Sequence, residues 1–174
     1  MNDIEFNPPK VKASILERNL YFGCFILLVI QWGFFIYLVP SLPQEVPIHS
    51  SSLSGGNYSY GPKWTIIILP ILATVMAGAM FGVRFAVRMM NFPVQVTEAN
   101  AAVLIQLCRD FIAQMNLTIV SLFFAIFIDF SLVATDRVIE GFWVVPGGIL
   151  VWLFGVMIYY IIVMRKRGKE QMEK

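Results

Sequence analysis

The chain has 174 residues, of which 58% are hydrophobic, 14% aromatic and only 14% charged. Soluble domains carry about 25% charged residues, so a chain this poor in charge cannot cover a water-facing surface, and its length leaves no room for a second folded domain. The net charge of +2 comes with no basic–aromatic surface suited to nucleic acid.

Residues 1–19 form a polar lead. Pro8-Pro9 opposes a helix there, whereas Ser14 to Arg18 can open one that continues into the first apolar run. That run, Leu20 to Val39, holds no Asp, Glu, Lys or Arg. About 20 such residues cross about 30 Å of hydrocarbon. No small-residue cleavage site follows it, so it reads as a span and not as a signal peptide.

Residues 40–63 are rich in Pro, Ser, Gly, Asn and Tyr and are expected to form an irregular loop. Loops of this length are functional or loose. It holds His49, the only histidine, approached through Pro43 and Pro47. The two prolines stiffen that approach, which makes His49 a candidate ligand contact or pH sensor. A metal site is not expected, because one histidine among loop carboxylates lacks convergent ligands.

The second span is predicted over Trp64 to Val83, with a bend at Pro70. Gly78 and Gly82, four residues apart, allow close helix approach. The partner is expected to be another span of the same chain, or else a second copy. After Pro93, Thr97 can cap a helix and Glu98 suits its first turn. Ala101, Leu104, Ile105, Cys108, Phe111, Ile112 and Met115 then recur on one helical face. The predicted amphipathic helix runs unbroken into the third span, Met115 to Ala134. Its stripe needs a cover. The cover is the chain's own helices or the membrane interface, or a cytoplasmic protein docking on Leu104, Ile105, Cys108, Phe111 and Ile112. Asp129 lies inside the third span, where a carboxylate must face water, head groups or a partner such as Lys63, Arg137 or His49. A short acidic loop, a fourth span from Phe142 to Met164 and a basic tail over residues 165–174 complete the chain.

Eleven of the thirteen basic residues fall before span one, between spans two and three, or after span four. Positive-inside logic therefore puts both termini in the cytoplasm, and an even number of crossings requires them to share a side. The predicted fold is an all-α integral membrane protein: a four-helix transmembrane bundle, N-in and C-in, with a cytoplasmic amphipathic helix extending into span three. Tyr21, Trp64, Trp143, Tyr159 and Tyr160 are expected at the membrane boundaries, and Trp32 and Trp152 in packing. Cys24 and Cys108 are expected to be free thiols in small apolar roles. No phosphate-cradling loop, metal-spaced Cys/His pair or nucleophile motif occurs. The chain is read as no enzyme, with no cofactor.

Two stretches carry a family resemblance. Leu42-Pro43-Gln44-Glu45-Val46-Pro47-Ile48-His49, followed by Gly61-Pro62-Lys63-Trp64, resembles the short domain of unknown function in bacterial SdpI-type membrane proteins. Asn91-Phe92-Pro93 and Thr97-Glu98-Ala99-Asn100-Ala101 are similar to the stretch that follows the second span in small relatives. Pro43, Pro47, His49, Gly61 and Lys63 fall on motif positions. Ser50-Ser51-Ser52 and Gly55-Gly56-Asn57 depart from the aromatic and Gly–acid–Gly turn that the family has there. The resemblance implies a bacterial plasma-membrane protein that gives immunity to, or senses, an extracellular peptide, with a cytoplasmic protein as further partner. The alternative from the residues is a small transporter or channel accessory subunit, for which only Asp129 offers a polar group to a path.

Overall fold

A computed structural model describes residues 9–50, 58–86, 91–137 and 139–172. Four helices are long and apolar enough to cross a membrane: Ile15–Ser41, Lys63–Val83, Ala101–Ala134 and Val144–Glu170. That architecture is the one expected of a multi-pass membrane protein.

Helix α1 (Ile15–Leu38) begins where the sequence allows it, with the Ser14 hydroxyl accepting from the Glu17 N–H at 2.9 Å. A 3₁₀ turn, Val39–Ser41, ends it at Pro40. The following loop is not irregular, and the all-α expectation is corrected here. Strand β1 (Glu45–Ser50) pairs antiparallel with β2 (Tyr58–Pro62), with Glu45 opposite Pro62 and Val46 opposite Gly61. The register shifts between Pro47 and His49; proline lacks the N–H that a regular ladder needs, which suits a bulge. The Ser-Gly-rich tip, residues 51–57, lies outside the described residues.

A second 3₁₀ turn, Lys63–Ile67, leads into α2 (Ile68–Val83). Pro70 stands in the first turn of α2, where a missing N–H costs least. The expected mid-span bend is thereby moved to the 3₁₀ entry. Gly78 and Gly82 face outward, and a Cβ added at either meets nothing within 4 Å. The contact expected within the chain is not made.

Helix α3 (Ala101–Ala134) is continuous over 34 residues. It starts four residues later than Thr97, because Asn100 organises the approach. The Asn100 Oδ1 accepts from the Thr97 N–H at 2.8 Å, and its Nδ2 donates to the carbonyls of Gln95 at 3.0 Å and Gly168 at 3.2 Å. Helix α4 (Val144–Glu170) takes in most of the basic tail. Its residues Val156, Tyr160 and Met164 cluster with Leu104, Cys108 and Ile112, and Phe92, Val94 and Val96 close the same core. Leu104, Ile105, Cys108 and Ile112 are buried, and Phe111 packs 5.4 Å from the Tyr160 ring. The stripe proposed for a cytoplasmic partner is filled by the chain itself.

Helices α1, α2 and α3 form the bundle core, and α4 flanks α3. The first turns of α4 line a shallow recess together with Gln114, Leu117, Thr118 and Ser121 of α3. The end that carries the strands is the hairpin end; the other, where α1 begins and α4 finishes, is the basal end. Trp152 faces outward, 61% exposed, and not into packing. Tyr21 is turned inward against Phe81, edge to face at 5.1 Å. Cys24 and Cys108 are buried, free thiols.

Candidate functional site at the hairpin end

The hairpin places the two motif stretches side by side. Val46 and Gly61 are buried partners, and the Lys63 N–H donates to the Gln44 carbonyl at 3.0 Å. Pro47 pairs with Tyr60, and His49 with Ser59. The side chains of Pro47 and His49 lie outside the described residues. Lys63 holds its ammonium 5.9 Å from the centre of the Trp64 ring, within cation–π range.

Beside the hairpin root, residues from the ends of α1 and α3 line a half-open cleft of about 770 Å³. Ligand pockets commonly span about 300–1,000 Å³. Phe34, Tyr37, Leu38 and Ile128 supply apolar wall. Ser41, Ser131, Thr135, Asp136 and Arg137 supply its polar rim, and Pro43 stands beside them. Of the motif positions whose side chains are described, Pro43 lines this cleft, next to Leu42, and Gly61 and Lys63 do not. The rim is held by the end of α3. The Asp136 N–H donates to the Val133 carbonyl at 3.2 Å, and the Arg137 N–H to the Leu132 carbonyl at 2.9 Å. This is a Schellman cap with Asp136 at φ 53°, a left-handed position that glycine usually fills. Asp136 is the one non-glycine residue at positive φ among those described, and it stands on the cleft.

A second, smaller cavity of about 150 Å³ lies on the other side of the α3 end, under β1. Asp129 lines neither cavity and is half-buried. It makes no hydrogen bond or ion pair among the described residues, so the buried contact with Lys63 or Arg137 is not formed. No group of three or more His, Cys, Asp or Glu able to hold a metal occurs among the described residues.

The most strongly organised polar group was not singled out by sequence reasoning. At the basal end Glu17 is 0% exposed. Its Oε1 accepts from Arg109 Nε at 3.2 Å and Nη2 at 3.0 Å, and Arg84 Nη2 stands 3.0 Å away. Arg109 Nη1 also donates to the Val11 carbonyl at 2.7 Å. Phe81, Phe85 and Tyr21 ring the Arg84 guanidinium at about 5 Å. Next to this triad, Asp110 accepts from Ser14 at 2.6 Å and Gln106 at 3.0 Å. One carboxylate thus ties α1 to both α2 and α3. The signal was present as the acid nearest the first span and two arginines that read as loop charges. Further up the core, Asn116 donates to the Ala77 carbonyl at 3.2 Å and accepts from the Cys24 thiol at 3.7 Å. Gln31 is buried with both amide atoms unpaired among the described residues.

Compared with family models, curated proteins and solved structures, the chain matches none of them.

Proposed function

We propose that this chain is a non-enzymatic plasma-membrane protein that recognises an extracytoplasmic peptide at its hairpin end, as an immunity or sensor protein. The observation that carries the reading is the pairing of the two motif stretches directly beside the 770 Å³ cleft. The cleft joins an apolar floor to a rim bearing Ser41, Thr135, Asp136 and Arg137, which suits an amphipathic peptide segment. The charge asymmetry favours N-in and C-in, with the hairpin outside. Setting aside the buried Arg84 and Arg109, nine basic residues still belong to the terminal side against two, Lys63 and Arg137, on the other.

The cleft lies between α1 and α3, and the opposite ends of those two helices meet at Glu17–Arg109 and Ser14–Asp110. A peptide wedged in the cleft pushes on the same pair of helices that the buried charges hold together. That supplies a physical route from the outer face to the basal end. A cytoplasmic partner reads the basal surface and not the Leu104–Ile112 stripe, which α4 covers.

The test is deletion of the gene, followed by challenge with a panel of secreted amphipathic peptides. The expected result is a lower inhibitory concentration for at least one peptide, restored by the wild-type chain. Arg137→Ala and His49→Ala, at wild-type membrane levels, are expected not to restore it. Unchanged sensitivity to the whole panel removes the reading. Full protection by both variants removes the site.

A further inference from the structure

We infer that the recess at the base of α4 is a binding site for an anionic phospholipid of the surrounding membrane. Tyr159, Val163, Lys166, Arg167 and Glu170 line it, and that spacing runs along one side of the helix. The exposed apolar face of α4, with Ile158, Ile161 and Ile162, gives way here to the exposed cations Arg165, Lys166, Arg167 and Lys169. Tyrosine is enriched at such a boundary. A lipid at this level sets its chains against the isoleucines and its phosphate about 10 Å past Tyr159, beside Lys166 and Arg167. The other side of the helix holds the recess in shape. Tyr160 and Met164 are buried in the core shared with α3. Gly168 lies against Val94 and Leu104, and its carbonyl accepts from Asn100 Nδ2 at 3.2 Å. The Tyr159 ring stands edge to face against Tyr160 at 5.4 Å. Lys166 and Arg167 are thus displayed on an ordered helix and not on a free tail, which lowers the ordering cost of binding.

Charge selects the occupant. Lys166 makes no ion pair among the described residues, and Arg167 meets Glu170 only at 3.8 Å, with both side chains exposed. So exposed a pair contributes little, and the guanidinium can turn to two phosphate oxygens at once. Two cations beside an interfacial tyrosine complement a headgroup of net negative charge. A zwitterionic headgroup brings its own cation, which Lys166 and Arg167 repel. An acidic protein would meet the same cations but leave the wall of Tyr159 and Val163, at the edge of the apolar stretch, without a partner. The site depends neither on peptide recognition at the hairpin end nor on which end of the bundle faces the cytoplasm.

The test uses the full chain in a neutral detergent, with lipid adducts counted by native mass spectrometry as dioleoylphosphatidylglycerol or dioleoylphosphatidylcholine is titrated in. The expected result is a saturating phosphatidylglycerol adduct at concentrations where phosphatidylcholine adds little. Lys166→Gln combined with Arg167→Gln is expected to weaken that adduct about tenfold or more, since each cation near an anionic surface is worth about fivefold. Arg165→Gln combined with Lys169→Gln removes the same charge from the opposite side of the helix and should leave binding within about twofold of wild type. Glu170→Gln, which removes the competing carboxylate, should strengthen it. Equal adducts with the two lipids overturn the inference, and so does a Lys166/Arg167 double variant that keeps the preference. Equal losses in the two double variants overturn it as well, by showing a diffuse attraction without a site. Inorganic phosphate that displaces the lipid at equal concentration would mark a headgroup-only contact and remove the lipid assignment.

Discussion

Glu17 is a single carboxylate facing two guanidiniums from two other helices. Removing one member of a buried charge set costs about 3–5 kcal/mol, because the remaining charges lose their partner in a dry site. Glu17→Ala is therefore expected to lower thermal stability in detergent more than Arg84→Gln, since the Arg84 side chain is 16% exposed and that of Glu17 is 0%. Equal, small losses would show that the triad is solvated. Gln31 presents the opposite case: a buried amide without a protein partner among the described residues. Such a group costs about 1–3 kcal/mol, and an apolar group of similar shape relieves it. Gln31→Met should raise the unfolding temperature; a fall would mean that the amide is engaged in the native protein. At the cleft rim, Asp136→Val should destabilise by about 1–2 kcal/mol because a β-branched residue resists the left-handed region. Asp136→Gly should be tolerated, leaving any loss of peptide protection attributable to the missing carboxylate. Residues of this kind were hard to read from sequence. His49 stands out as the lone histidine, whereas Glu17 looks like one more polar residue of the lead until the fold brings Arg84 and Arg109 to it.

Whole helices were far more legible than their partners. Hydropathy located all four long helices, and the face carrying Leu104, Ile105, Cys108 and Ile112 was visible from its spacing. What covers that face was not, since α4 is apolar on every side and its sequence does not mark the contacting residues. The Gly78–Gly82 spacing misled for the same reason: small residues permit an approach without specifying one. The hairpin was missed because Pro, Ser and Gly dominate its composition, although Val46 and Gly61 pair within it. One close approach now has a measurable consequence. A Cβ at Gly168 would lie 2.7 Å from Val94 Cγ2, with Leu104 Cδ2 at 3.3 Å. Gly168→Ala is expected to cost about 1–3 kcal/mol by overpacking and to loosen the segment around Val94. Limited proteolysis near residues 91–97 is the readout, and an unchanged pattern would show that Val94 simply turns aside.

For the molecule as a whole, the arrangement of lysines and arginines said more than any motif. It proposes a sidedness that single cysteines can check on a chain whose native Cys24 and Cys108 are buried. Cysteine at position 41 or 136 should react with an impermeant maleimide on intact cells, and cysteine at position 12 should react only after lysis. The reverse pattern would invert the protein. The proposed outer function was legible only as a resemblance, because the cleft it is assigned to is built from the ends of α1 and α3 beside the hairpin, and no local pattern encodes that juxtaposition. The shared carboxylate also bears on biogenesis. During synthesis α1 emerges with Glu17 and α2 with Arg84, but Arg109 is not made until α3 follows. An ionised group left unpaired toward lipid is costly, by about 2.5–3.5 kcal/mol at the centre of a span and less near its ends. Glu17 and Arg84 can pair before α3 is made, so the carboxylate of α1 spares Arg84 that cost, and a Glu17→Ala chain should be cleared by quality-control proteases rather than accumulate.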